Sequence, residues 1–75
     1  MKPELREVRA RLKQATRSEF EKIIYDAMLT PQQERIVRLH ICDGVCICAI
    51  ADRLGYSDSG VRKILNHAYE KVAKL

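Results

Sequence analysis

Strand signals are missing from this chain. No alternating apolar–polar run is bounded by hairpin turns, which excludes a fold built on sheets. Glycine occurs three times and proline twice in 75 residues, each near an expected helix end. No apolar run approaches the about 20 residues needed to cross a bilayer, so no membrane span is expected. The leading segment MKPELREVRARLK is charged throughout and lacks the apolar stretch of a secretory signal, so a cytoplasmic location is expected. Internal repeats and low-complexity segments are absent. So are a nucleophile–base pair, paired carboxylates, a phosphate loop and a metal-protease helix. His40 and His67 have no recognisable acid partner, and so small a fold has little room for a closed pocket, so no enzyme is expected.

The three cysteines are an odd number, which argues against a disulfide framework in a reducing compartment. His40, Cys42, Cys46 and Cys48 spell H-x-C-x3-C-x-C, four soft ligands close together. Structural zinc sites instead pair their ligands in two separated knuckles, so neither metal nor cofactor is expected. Cys46 and Cys48 should start one helix and point to different sides. Cys42 is expected as a small core residue, and Cys46 stands where a serine cap would be.

What is present describes one small helical domain. Hydrophobic residues make up 47% and charged residues 32%, a globular balance. A chain of 75 residues buries only about 60% of its unfolded surface, so its core is marginal. The net charge of +4 is compatible with a polyanionic partner without requiring one, and both signs are spread along the chain.

Spacing places the helices. Pro3 suits a first helical turn, and Leu5, Val8, Leu12 and Ala15 form an apolar stripe behind it. Thr16-Arg17-Ser18 interrupts, and Ser18 with Glu21 fits a capping box for a second helix. Its buried face would be Phe20, Ile23, Ile24, Ala27 and Met28. A single continuous helix over both runs is an equal alternative. Thr30-Pro31-Gln32-Gln33 is a stronger start signal, and that helix should continue through Ile36, Val37, Leu39, His40 and Ile41 to about Cys42. Asp43-Gly44 stops it. The next helix spans about Cys46 to Leu54, and the last starts after Ser57 and ends near Ala73. The expected fold is all-α, with four to five helices: an N-terminal extension over 1–29 for packing or dimerisation, and a domain over 30–75 ending in a helix-turn-helix.

That last motif occupies Ile47–Asn66. Ile50, Ala51 and Leu54 share one face, and Gly55 can take the left-handed conformation that ends a helix. Tyr56 and Ser57 complete the turn, and Val61, Ile64 and Leu65 mark the inner face of the second helix. The small Ala51 lets the helices cross closely. The arrangement fits the unit that lays its second helix in the DNA major groove; the lesser alternative is an αα-hairpin that never meets DNA.

The segment Leu29–Leu75 resembles region 4 of the sigma-70 family of RNA polymerase sigma factors. The resemblance rests on Leu29-Thr30-Pro31, Glu34-Arg35, Asp43-Gly44, Ile50-Ala51-Asp52-Arg53-Leu54-Gly55, Ser57 and Val61-Arg62. The DNA-binding domains of LuxR-type response regulators share much of this pattern. Two departures stand out. Nothing here resembles the sigma segment that reads and melts the −10 element, and Ile47, Cys48 and Ala49 stand where the family has polar or charged residues.

Candidate DNA contacts follow from the motif. The outer side of the last helix presents Ser57, Asp58, Ser59, Arg62, Lys63 and Asn66. Arg62 suits a guanine edge, Asn66 an adenine edge, and Lys63 a phosphate. Ser57 and Ser59 can bond phosphate at the helix N-terminus. Asp58 is either a favourable first-turn acid or an acceptor for a cytosine amino group. Arg53, Arg35, Arg38 and His67 are further backbone candidates. Tyr69 either joins them or covers the core, and Lys71 and Lys74 suit a helix C-terminus.

The apolar Ile47–Ala49 surface calls for cover, by a second subunit or by the N-terminal helices, with a homodimer preferred. The leading functional expectation is a small transcription regulator that binds double-stranded DNA in a sequence-specific way. The alternatives are a protein-interaction module for RNA polymerase or a sigma factor, which the resembled family's grip on polymerase implies, and a DNA-handling protein of a phage or mobile element.

Overall fold

The computed structural model describes residues 5–75. Among them are five α-helices, one wider turn and no strand: α1 (Leu5–Gln14), α2 (Arg17–Ala27), α3 (Pro31–Val37), a π-helical turn (Arg38–Cys42), α4 (Ile47–Leu54) and α5 (Asp58–Ala73). The expected all-α class is observed. No described helix is long and apolar enough to cross a membrane. Pro3 lies outside the described residues.

Each helix boundary has a local cause. The cap of α2 is Thr16, whose Oγ1 accepts from the Glu19 N–H at 3.2 Å. This corrects the expected Ser18–Glu21 box. Thr16 already holds the extended conformation of a cap (φ −66°, ψ 166°), so Ser18 is absorbed into the first turn. The same cap separates α1 from α2, so the two runs are not one helix. At the other end, Met28 takes a left-handed conformation (φ 54°) and its N–H donates to the Tyr25 carbonyl at 3.2 Å. That twist swings the side chain off the helical face. Met28 is 81% exposed rather than buried, a second correction.

The start of α3 is the expected reciprocal box. The Gln33 N–H donates to Thr30 Oγ1 at 3.2 Å, and the Thr30 N–H donates to Gln33 Oε1 at 3.1 Å. After Val37 the helix widens. The Asp43 N–H reaches back to the Arg38 carbonyl at 3.2 Å, and the Val45 N–H to the Leu39 carbonyl at 3.0 Å. His40 Nδ1 also donates to the Val45 carbonyl, at 2.9 Å. A wider turn rotates every following side chain away from the ideal helical position. Cys42, expected in the core, is therefore exposed.

All four other α-helices pack on α5. Its inner stripe of Val61, Leu65, Ala68, Tyr69 and Val72 is buried. Around it lie Val8 and Leu12 of α1, Phe20, Ile24 and Ala27 of α2, Ile36 and Val37 of α3, and Ile50 and Ala51 of α4. The helices before and after Leu29 thus share one core. Ile50 is fully buried and Ala51 nearly so, which lets α4 approach α5 closely. Truncating Ile50→Ala should cost about 2–5 kcal/mol and lower the urea midpoint correspondingly, because the vacated volume lies between two helices that cannot collapse freely.

The Tyr69 hydroxyl is buried without a hydrogen-bond partner among the described residues. Burial pushes its phenol up to about 12, against an ordinary value of 10.0, and Arg9 opposes this weakly. A raised phenol keeps its full stabilising contribution below pH 10 and loses it as pH rises toward about 12, because the unfolded chain ionises first. Tyr69→Phe should flatten the loss of stability in that alkaline window, as measured by urea unfolding. At neutral pH it should cost less than about 1 kcal/mol, since no hydrogen bond is broken.

Candidate nucleic-acid interface

The turn between α4 and α5 is built from three residues with separate tasks. Gly55 ends α4 at φ 73°, its N–H bonding the Ala51 carbonyl. Nothing lies within 4 Å of where a Cβ would sit, so the left-handed backbone, and not crowding, requires glycine. The Tyr56 N–H also donates to the Ala51 carbonyl, at 2.9 Å. The Tyr56 hydroxyl accepts from Gln32 Nε2, tying the turn to α3. Ser57 is extended, and its Oγ accepts from the Gly60 N–H at 3.1 Å. A Cβ on Gly60 would come within 3.1 Å of that Oγ, so the residue at this position bears on the cap. In the sequence Gln32 reads only as part of the α3 start signal, and Gly60 carries no role. The signal available was the absence of a side chain three residues after the capping serine.

The first half of α5 then divides cleanly. Val61 and Leu65 are buried, while Asp58, Ser59, Arg62, Lys63, Asn66 and His67 are exposed. Ser59, Arg62, Lys63 and Asn66 follow the spacing that puts side chains on one helical face, over about 10 Å of rise. Among the described residues none of these four side chains makes a hydrogen bond or ion pair. The one acid of this half, Asp58, sits in the first turn where the helix dipole favours it. Arg53, in the last turn of α4, is exposed as well.

The remaining basic residues divide differently. Arg35 and Lys74 are exposed. Arg38 is engaged by neighbouring helices at the surface. It pairs with Glu21 of α2 and, at 3.5 Å, with Glu34 of α3, and its guanidinium lies 5.7 Å from the centre of the Phe20 ring. The hydrogen bond from Arg38 holds the Glu21 carboxyl below its usual value, and the bond to Glu21 raises Arg38 in return. Lys71 Nζ donates to Gln33 Oε1 at 2.9 Å, joining α5 to the cap of α3. Tyr69 is in the core. Of the apolar surface at the start of α4, Ile47 packs against the core, Cys48 is exposed and Ala49 is half-buried.

The cysteines correct the remaining expectation. Cys46 is the extended cap residue of α4 (φ −71°, ψ 158°), so helical spacing does not apply between it and Cys48. Their sulfurs do not diverge but lie 3.3 Å apart. Among the described residues no three metal-ligating side chains are grouped around one point.

Comparisons with protein-family models, curated proteins and solved structures found no match.

Proposed function

We propose that the chain is a sequence-specific binder of double-stranded DNA that regulates transcription, similar to a free-standing sigma region 4. The observation that supports this most is the stripe Ser59, Arg62, Lys63 and Asn66: exposed, without partners among the described residues, and set on a helix whose opposite stripe is anchored in the core. Solvated faces are common on surface helices. Here the face follows a capped, glycine-ended turn, and it combines two cations with an amide.

Each side chain has a chemical task on a duplex. Arg62 offers two parallel donors to the O6 and N7 of guanine, and Asn66 a donor and an acceptor to adenine. Lys63 meets phosphate as a point charge. Ser57 uses its oxygen as an acceptor in the cap, which leaves its hydroxyl proton free for a phosphate oxygen. The N–H groups of the first turn, including Ser59, favour the same anion. Arg53 and His67 flank the stripe as further phosphate contacts. A helix of 16 residues is about 24 Å long and narrow enough for the major groove.

The resemblance also motivates contact with RNA polymerase, and the apolar start of α4 a homodimer, whose half-sites would lie about one helical turn apart. Ile47 is taken up by the chain's own core, which reduces the surface left for either. A second reading, a protein-interaction module, is favoured by Tyr25 and Met28, 83% and 81% exposed near the end of α2.

Titrating labelled duplexes selected from random sequence, over a range of salt, tests these readings. Arg62→Ala should lower specific affinity by about 1–3 kcal/mol and relax preference at one base. Lys63→Ala should weaken all sequences alike and reduce the salt slope by about 1. Affinity that barely changes with salt would favour the protein-interaction module.

A further inference from the structure

The sulfurs of Cys46 and Cys48 stand 3.3 Å apart on the surface, within hydrogen-bond reach of each other. A disulfide bond would bring them to ~2.05 Å, about 1.25 Å closer. The two thiols are not equivalent. Cys46 caps α4, and the N–H of Ala49 together with the Cys48 thiol holds it below its ordinary value, although no cap hydrogen bond is closed. Cys48 is raised, first by its hydrogen bond to Cys46 and then by the charge on that sulfur. Cys46, at the helix cap, is thus the more acidic of two thiols whose sulfurs are in contact, which suits it to attack and leaves Cys48 placed to resolve. Cys42 is exposed but forms no such pair among the described residues.

We propose that Cys46 and Cys48 form an exchange-active dithiol that reacts with low-molecular-weight disulfides, Cys46 attacking and Cys48 resolving. The Cys46 thiolate bonds to one sulfur of the small disulfide, whose S–S bond breaks. The first small thiolate departs and takes up the proton that Cys46 has lost. Cys48 then gives its proton to solvent and attacks the Cys46 sulfur, and the second small thiolate departs and is protonated. The chain has lost two electrons and two protons, and the small disulfide has gained both. A bridge across one intervening residue is strained, and strained, exposed bridges are the readily reduced kind. The site therefore cycles with the thiol pool and does not staple the fold.

The test treats the reduced full chain with glutathione disulfide and follows mass, free thiols and peptide maps. Wild type should release two glutathione thiols per chain, lose two hydrogens and keep Cys42 free. Cys48→Ser should stop at a glutathione adduct on Cys46. Cys46→Ser should form no internal bridge, and Cys42→Ser should behave as wild type. In denaturing urea the preference for Cys46 should vanish, which ties it to the folded turn. Circular dichroism checks that each variant folds. Adducts spread evenly over three thiols in the folded wild type, a bridge to Cys42, or no reaction would each overturn the proposal.

Discussion

The buried stripe of α5 is the contact on which everything else depends. Val61, Leu65, Ala68, Tyr69 and Val72 face inward, and α1, α2, α3 and α4 each rest on that side. In a chain this short there is no second core to take over. The periodicity that buries these residues also fixes where the others point. With Val61 and Leu65 inside, Ser59, Arg62, Lys63 and Asn66 must be outside. The proposed DNA surface is thus the geometric complement of the core, and it cannot be altered in register without disturbing packing.

Polar ties then set how the helices meet. Arg38 links α2, α3 and the π turn, Lys71 links α5 to the cap of α3, and Gln32 links α3 to the turn before α5. Such partly exposed bonds contribute little individually to stability. Their effect is on position. One of the three ends on α5 and another on Tyr56 within the turn before it, so both the turn and the helix that follows are tied to α3.

Much of this was legible in the sequence, because the signals were local. Thr30 with Pro31 and Gln33, Gly55, and Ser57 each specify a helix end through their own backbone preferences, and all three ends are where expected. What failed to show was where neighbours compete. Thr16 and Ser18 are both good caps, and the earlier one won, which released Glu21 to meet Arg38. Met28 has helical spacing yet lies in the left-handed cap position. The widening after Val37 leaves no composition signal, so helical spacing alone points Cys42 to a core that it does not enter. Cys46 does stand in the cap position its place before the helix suggests, but helical spacing from it to Cys48 predicts divergent side chains, and the extended backbone of the cap brings them together instead. The outer face of α5 could be named residue by residue, but the ties that orient it could not, since their partners are distant in sequence.

Backbone amide shifts of the isotopically labelled chain, recorded while duplex DNA is added, address the central claim most directly. The account predicts changes concentrated over Ser57–His67 and at Arg53, with the second half of α5 little affected. Changes confined to the end of α2 around Tyr25 and Met28, or none at any salt concentration, would contradict it.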